Sequence, residues 1–206
     1  MNSKRIILAS ASPRRRELLS LVTDNFDVIT AEVDERSAEI RMDDAGVPAL
    51  KVSEGLAFLK AKAVFDSLPE EERKDSVIIG ADTSVILDNV IFGKPKDREE
   101  AVNMLSVLSG HTHVVATGVA LLSGPDVKMF TEETYVEFNA LDDYQKLLIS
   151  DYCDSGSPYD KAGGYGIQDK GALLVKCIKG DYSNVVGLPV PRLARELYDM
   201  VKYPLE

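Results

Sequence analysis

The sequence is poor in the residues that bind zinc or form disulfides, with two cysteines and two histidines among 206 residues. Cys153 and Cys177 belong to no ligand cluster, and His111 and His113 lack the acidic or thiol partners of a zinc set. No apolar run approaches the length of a membrane-spanning helix, and no charged-then-apolar leader is found. We therefore expect neither a membrane span nor a signal peptide, and a reducing cytoplasm as the location.

Basic residues are also in deficit. The 24 lysines and arginines are outnumbered by 34 aspartates and glutamates, which gives a net charge of −10. A surface of this charge repels a phosphate backbone and argues against general binding of nucleic acid. A local site for a phosphorylated metabolite stays open, because a few lysines and arginines that converge in a cleft can outweigh the average.

Several sequence features that would divide or classify the chain are missing. It has no internal repeat, low-complexity stretch or Pro/Gly/Ser-rich linker, which predicts a single domain over residues 1–206. Its most acidic patch, Glu70–Asp75, is short enough to be a solvated loop. The chain also has no G-x-x-x-x-G-K-[ST] or G-x-G-x-x-G segment, which argues against P-loop kinases and Rossmann dehydrogenases.

Apolar runs alternate with helical periodicities, which predicts an α/β fold with helices flanking a twisted sheet. Asp88 and Asn89 tolerate positive φ and predict a tight hairpin, and hairpins imply a mixed rather than an all-parallel sheet. The predicted strands are Arg5–Ala9, Phe26–Thr30, Val77–Ile79, Val85–Leu87, Val90–Phe92, His113–Leu122, Lys128–Phe138 and Ala172–Ile178. The predicted helices are one that begins at Pro13, then Ala49–Leu68, Arg98–Leu108, Asp142–Ser150 and Pro191–Val201.

Residues 12–15 predict a helix start beside two positive charges. Ser12 is a favourable N-cap, and Pro13 fits the first helical position, where its missing N–H does no harm. The free N–H groups of such a helix end, together with Arg14 and Arg15, are typical of an anion site. A capped helix with solvated arginines explains the same residues.

Two acidic residues could carry chemistry. Asp82 follows an apolar run, so we expect it at a strand end, where its carboxylate could bind a metal ion, accept a proton from water or simply cap a turn. Glu35 lies in an acidic stretch that is typical of an exposed loop. Three lysines are candidates for neutralising a polyphosphate, although each is equally typical of a solvated surface: Lys60, Lys62 and Lys94.

Residues 160–168 combine three glycines with Tyr165 and Gln168. Glycines allow backbone N–H groups to approach a bound molecule, and the Gln168 amide can pair with both a donor and an acceptor on a base edge. A flexible surface loop is the alternative interpretation.

Taken together, six segments resemble the Maf family of nucleoside triphosphate pyrophosphatases, in the family's order and almost from end to end. They are Ser10–Arg15, Gly80–Thr83, Gly93–Pro95, Ser109–Val119, Asp160–Gln168 and Gly180–Pro189. The resemblance implies an ITPase-like α/β fold with two lobes around a cleft. It also implies hydrolysis between the α and β phosphates, giving a nucleoside monophosphate and pyrophosphate, with Mg²⁺ or Mn²⁺ as cofactor.

Carried over by position, the resemblance implies that Asp82 is the proton acceptor and that Glu35 and Asp82 bind the metal. Substrate contacts are implied for Ser12, Arg14, Arg15, Lys62, Thr83, Lys94 and Gln168. Of these, Arg14, Thr83 and Gln168 match positions linked to substrate choice. The run Tyr165–Gln168 resembles the subgroup that acts on dTTP and UTP rather than on 7-methyl-GTP, with modified pyrimidine nucleotides as further candidate substrates.

A non-catalytic nucleotide-binding regulator, for instance of cell division, is the alternative function. A pure binder has no need of both Asp82 and a metal-binding carboxylate, which favours the enzyme. The expected partner is a small-molecule nucleoside triphosphate, with neither nucleic acid nor membrane, and the expected assembly is a homodimer.

Overall fold

The computed structural model describes residues 4–201, and these contain a seven-stranded sheet with helices between the strands. The strands are β1 (Arg5–Leu8), β2 (Phe26–Val28), β3 (Ser76–Leu87), β4 (Val90–Phe92), β5 (Thr112–Ser123), β6 (Asp126–Phe138) and β7 (Val175–Lys179). The α-helices are α1 (Pro13–Leu19), α2 (Glu35–Asp44), α3 (Ala49–Ser67), α4 (Glu70–Lys74), α5 (Arg98–Leu108), α6 (Asp143–Asp154), α7 (Tyr182–Val186) and α8 (Val190–Val201). Short 3₁₀ helices cover Ser157–Asp160, Ala162–Gly164 and Lys170–Leu174.

The sheet is mixed, as the sequence predicts. Its strand order is β2-β1-β3-β5-β6-β7, with β4 paired to β3. β1 runs parallel to both β2 and β3, whereas the pairs β3–β4 and β6–β7 are antiparallel. The predicted hairpin turn is confirmed, because Asp88 and Asn89 both have positive φ, at 50° and 64°. The α/β fold class predicted from the sequence is therefore confirmed.

The described chain divides into two compact units. The first comprises residues 4–82, Thr117–Glu132 and 187–201, and the second comprises Thr83–Ala116 and Glu133–Val186. The number of units agrees with the two lobes that the resemblance implies. The cleft and the single domain over residues 1–206 stay predictions.

The core of the first unit depends on the close packing of α3 on β3 and β5. A Cβ placed on Gly80 would lie 2.1 Å from the carbonyl oxygen of Ala57, and one on Gly118 would lie 2.2 Å from the backbone nitrogen of Glu54. The helix backbone therefore rests directly on two glycines of neighbouring strands. Ala57, Ala61 and larger apolar side chains close the remaining space: Ile7, Val64, Leu68, Ile78 and Leu122.

The core of the second unit is built around buried aromatic rings. His113 is fully buried between Phe138 and Tyr165, with edge-to-face contacts at ring-centroid distances of 5.0 and 5.5 Å. The apolar faces of α5 and α6 complete this core through Leu105, Leu108, Ile149 and Cys153. Burial lowers the pKa of His113 to about 4, so the imidazole is neutral in the folded protein at neutral pH.

Three sequence predictions are wrong in detail. Asp82 lies inside a continuous strand and not at a strand end, because β3 leaves its parallel pairing with β1 after Ile79 and continues into the antiparallel pair with β4. Glu35 lies on α2 and not in a loop, because Asp34 caps that helix by accepting the N–H of Ser37. The acidic run Glu70–Asp75, predicted as a solvated loop, forms α4 over Glu70–Lys74.

None of the helices found within residues 4–201 combines the length and the apolar content needed to cross a bilayer.

We expect Gly80→Ala to lower the free energy of unfolding by about 3 kcal/mol, because the new methyl group overlaps the α3 backbone. Gly93→Ala is the matched control, because a Cβ there would meet nothing within 4 Å. Urea unfolding of both variants measures the difference. Equal losses in the two variants would contradict the packing described for α3.

His113→Phe should flatten the dependence of stability on pH. Because the pKa falls from 6.5 to about 4 on folding, the unfolded chain binds the proton first. The neutral imidazole therefore contributes its full stability above pH 6.5 and loses up to about 3 kcal/mol as the pH falls towards 4. Urea unfolding at several pH values should show a shallower slope for the variant across this window, and identical slopes would argue against a buried neutral His113.

Candidate functional site

The connection between β1 and α1 places a helix start beside β3 in the first unit. Leu8 pairs with Ile79, and the N–H of Ala9 donates to the carbonyl of Ile79 at 2.8 Å. β1 therefore ends where β3 continues towards Asp82, at the carboxyl edge of the parallel strands, a usual position for ligands in α/β proteins.

The predicted helix start is confirmed. Ser12 is the N-cap of α1, and its hydroxyl oxygen accepts the N–H of Arg15 at 3.4 Å, while Pro13 fills the first helical position. The N–H of Arg16 donates to the carbonyl of Ser12. The backbone N–H groups of Arg15 and Arg16 are thus both hydrogen-bonded to Ser12, and Pro13 has no N–H to donate. Positive charge here comes chiefly from the guanidinium groups of Arg14 and Arg15.

Arg15 is fixed in place by backbone and hydroxyl acceptors. Its Nε donates to the carbonyl of Gly187 at 2.9 Å and its Nη1 to the hydroxyl of Ser10 at 3.3 Å. Burial lowers the pKa of Arg15, the negative charges of Asp82 and Glu35 raise it, and the positive charge of Arg14 lowers it. Burial is the largest of these effects, so the pKa of Arg15 is lowered overall, and the three charges that act on Arg15 come from α1, α2 and β3 within the first unit.

Lys60 joins the two carboxylates of this group. Its Nζ lies 2.6 Å from Oδ1 of Asp82 and 3.1 Å from Oε1 of Glu35. The side chains of Lys60 and Asp82 are only 15% and 13% exposed, whereas that of Glu35 is 46% exposed. The ammonium group thus balances two negative charges, one of them largely removed from solvent.

Lys62, one of the substrate contacts that the resemblance implies, lies two residues from Lys60 on α3. It is exposed and forms an ion pair with Asp66 one turn along the helix. Residues two apart on a helix point to different sides, so only one of the two lysines can reach Asp82. The sequence does carry a signal that distinguishes the two lysines. Ala57 and Ala61, two small residues on either side of Lys60, mark the side of α3 that contacts Gly80.

The remaining predicted residues belong to the second unit. Thr83 follows Asp82 on β3 and is half-buried, and because side chains alternate along a strand the two point to opposite faces. Lys94 is exposed after β4, and Gln168 is exposed between two 3₁₀ helices. The segments that carry them are linked, because the N–H of Gly163 donates to the carbonyl of Gly93 at 3.0 Å.

Within residues 4–201, no three histidine, cysteine, aspartate or glutamate side chains form a group that could hold a metal ion by themselves. Asp82 and Glu35 are the acidic pair that Lys60 brings together. Mg²⁺ is commonly held by one or two carboxylates with substrate phosphates and water as its other ligands. The donor set of Asp82 and Glu35 fits that kind of binding.

Cys153 is buried and Cys177 exposed, and neither forms a disulfide.

The chain matches the sequence model of Maf-like proteins over residues 5–200. It is 46% identical over 194 residues to a dTTP/UTP pyrophosphatase of Geobacillus sp. (strain WCH70), covering 94% of this chain and 97% of that protein. The dTTP/UTP pyrophosphatase of Thermosipho africanus (strain TCF52B) is 45% identical over 195 residues, covering 95% and 93%. That of Bacillus cytotoxicus is 47% identical over 194 residues, covering 94% of each.

We expect Lys60→Met to lower the free energy of unfolding by about 2 kcal/mol at neutral pH, because it leaves the shielded Asp82 carboxylate without its partner. Lys62→Met makes the same substitution two residues away and breaks only the exposed pair with Asp66, so its loss should stay below about 0.5 kcal/mol. Denaturant unfolding of both variants compares them. Equal losses would place the two lysines in equivalent environments and refute the pairing with Asp82.

Proposed function

Because the chain belongs to the Maf family, we propose that it hydrolyses dTTP and UTP to the nucleoside monophosphate and pyrophosphate. The observation that carries the proposal is the charge cluster of Arg14, Arg15, Glu35, Lys60 and Asp82 in the first unit. Three cations and two carboxylates form a set that can bind a triphosphate and activate water in one place.

Asp82 is the proposed proton acceptor. One carboxylate oxygen, Oδ1, accepts a hydrogen bond from Lys60, and this contact supports Oδ2 as the atom that would take the proton. Water that loses its proton to Oδ2 can attack the α phosphorus, which breaks the bond to the bridging oxygen and releases pyrophosphate. General base catalysis of this kind depends on the position of the base. The contact with Lys60 holds the largely buried Asp82 side chain in place.

The arginines would stabilise the charge that forms on pyrophosphate as it leaves. Phosphoryl transfer is accelerated chiefly by positioning and by fixed positive charge. Arg15 is held in position by Gly187 and Ser10, so its guanidinium needs little reorganisation during the reaction. Arg14 and Ser12 would contact the same phosphates, with Lys94 as a further contact. In this proposal Lys60 takes the role at the site that the resemblance implies for Lys62.

Glu35 and Asp82 would hold a divalent cation, Mg²⁺ or Mn²⁺. Carboxylate ligands suit both ions, and the exposed position of Glu35 leaves room for water and phosphate oxygens as further ligands. When bound, the cation would neutralise phosphate charge and polarise the phosphorus–oxygen bonds.

Gln168 is the proposed contact to the base, with Thr83 as a second position that affects substrate choice. The uracil and thymine rings both present an N–H donor beside a carbonyl acceptor. A side-chain amide offers the complementary pair, a carbonyl oxygen and an NH₂ group. This shared edge explains why one protein would accept both dTTP and UTP.

A panel of nucleoside triphosphates with product identification tests the proposal. We expect dTTP and UTP to yield monophosphate and pyrophosphate only when Mg²⁺ or Mn²⁺ is added. Asp82→Asn should reduce kcat by about 10²- to 10⁴-fold because it removes the proton acceptor with almost no change of shape. Asp66→Asn is the matched control, since it also removes a carboxylate paired with a lysine of α3, and it should leave kcat unchanged.

Release of orthophosphate in place of pyrophosphate would reject the proposed reaction. Retained activity in Asp82→Asn would remove Asp82 from the mechanism. Tight nucleotide binding without turnover across several divalent metals would instead support a non-catalytic regulator.

A further inference from the structure

Two buried tyrosines hold the loop that carries Gln168, and the proposed reaction uses neither of them. Tyr152 lies on α6 and is 2% exposed, while Tyr165 lies within the loop and is 6% exposed. We call residues 161–171 the Gln168 loop. A phenolic hydroxyl in a core needs hydrogen-bond partners, and both of these find them in contacts that fix this loop.

Tyr152 binds the Gln168 loop on both sides of Gln168. Its hydroxyl donates to Oδ1 of Asp169 at 3.0 Å and accepts the N–H of Gly166 at 3.0 Å. Oδ1 of Asp169 also accepts the N–H of Gly171 at 2.8 Å. A single hydroxyl on a rigid helix therefore fixes backbone two residues before Gln168 and a side chain one residue after it.

Tyr165 anchors the same loop to the sheet. Its hydroxyl shares a hydrogen bond of 2.8 Å with Nε2 of His113 on β5. Its ring packs edge-on against Phe138 on β6, with ring centroids 4.8 Å apart. These contacts draw the loop into the core of the second unit and leave Gln168 exposed.

The remaining space inside the Gln168 loop is filled. Nζ of Lys161 donates to the carbonyl of Ser157 at 2.6 Å and lies 3.5 Å from Oδ2 of Asp169. A Cβ placed on Gly166 would lie 2.7 Å from Cε of Lys161 and 2.9 Å from Oδ2 of Asp169. These contacts pack the loop against its own side chains, in contrast to the flexible surface loop that its glycine content also suggested.

We propose that Tyr152 and Tyr165 are positioning residues for nucleobase selection, an inference that rests on the proposed function. Uracil and cytosine present opposite donor and acceptor patterns on the edge that a pocket reads. A side-chain amide can match either pattern by rotating through 180°. Discrimination between the two bases therefore requires the amide to meet the base from a defined position. A fixed backbone at Gln168 is the first part of that requirement, and the two tyrosine hydroxyls supply it.

Tyr152→Phe tests the proposal because it removes one oxygen atom and keeps the ring. We expect the ratio of kcat/KM for UTP to that for CTP to fall by about tenfold, the effect of losing a hydrogen bond worth roughly 1.4 kcal/mol. The change should arise mainly in KM and not in kcat. Tyr144→Phe is the matched control on the same helix, because Tyr144 is 68% exposed, and its ratio should equal that of the unmodified chain.

A double-variant cycle separates positioning from general weakening of the structure. If Tyr152 acts through Gln168, then Tyr152→Phe should not change the UTP/CTP ratio further in the Gln168→Ala background. Equal effects in both backgrounds would overturn the proposal. Asp169→Asn provides a second change in the same contact and should also lower the ratio. Hydrogen exchange gives a readout without turnover: the amides of Gly166 and Gly171 should exchange faster in Tyr152→Phe.

The outcomes distinguish this inference from the proposed function. If the unmodified chain releases no pyrophosphate from any nucleotide, the proposed function is rejected. If it does so and Tyr152→Phe leaves both the ratio and the amide exchange unchanged, the positioning role alone is rejected.

Discussion

The close approach of α3 to the sheet is the constraint on which the first unit depends. Gly80 and Gly118 have no side chains, so the helix backbone rests on β3 and β5 where any Cβ would overlap it. This packing brings Lys60 within 2.6 Å of Asp82, which lies two residues beyond Gly80 on the same strand. Core packing and the charge cluster therefore share one cause, and a bulkier residue at Gly80 would disturb both.

The two units hold their polar side chains in different ways. The first holds its charged side chains through ion pairs and backbone acceptors, such as Lys60 with Asp82 and Arg15 with Gly187. The second holds an exposed amide on a loop that is tied to a neutral aromatic core. Charged groups form stronger hydrogen bonds than neutral ones, and a packed environment of low dielectric constant strengthens the hydrogen bonds within it.

Much of this fold could be predicted from local patterns, whereas much of the site's geometry could not. The cap at Ser12 and the hairpin at Asp88 and Asn89 follow from short-range chemistry and are confirmed, as are the fold class and the family. The position of Asp82 inside a strand depends on where a neighbouring strand ends, which no local pattern contains. The choice between Lys60 and Lys62 likewise depends on which side of α3 meets a glycine of β3. Roles for the predicted site residues stay predictions.

The strand order also bears on how copies of this chain could associate. β2 and β7 end the order, and both are short, at three and five residues. β2 carries the exposed Asp27, and β7 carries the exposed Lys176 and Lys179. Short edge strands with charged side chains disfavour pairing with a strand of another molecule, which is a common route to aggregation. The edges at β2 and β7 therefore disfavour a sheet that extends from one copy of this protein into the next.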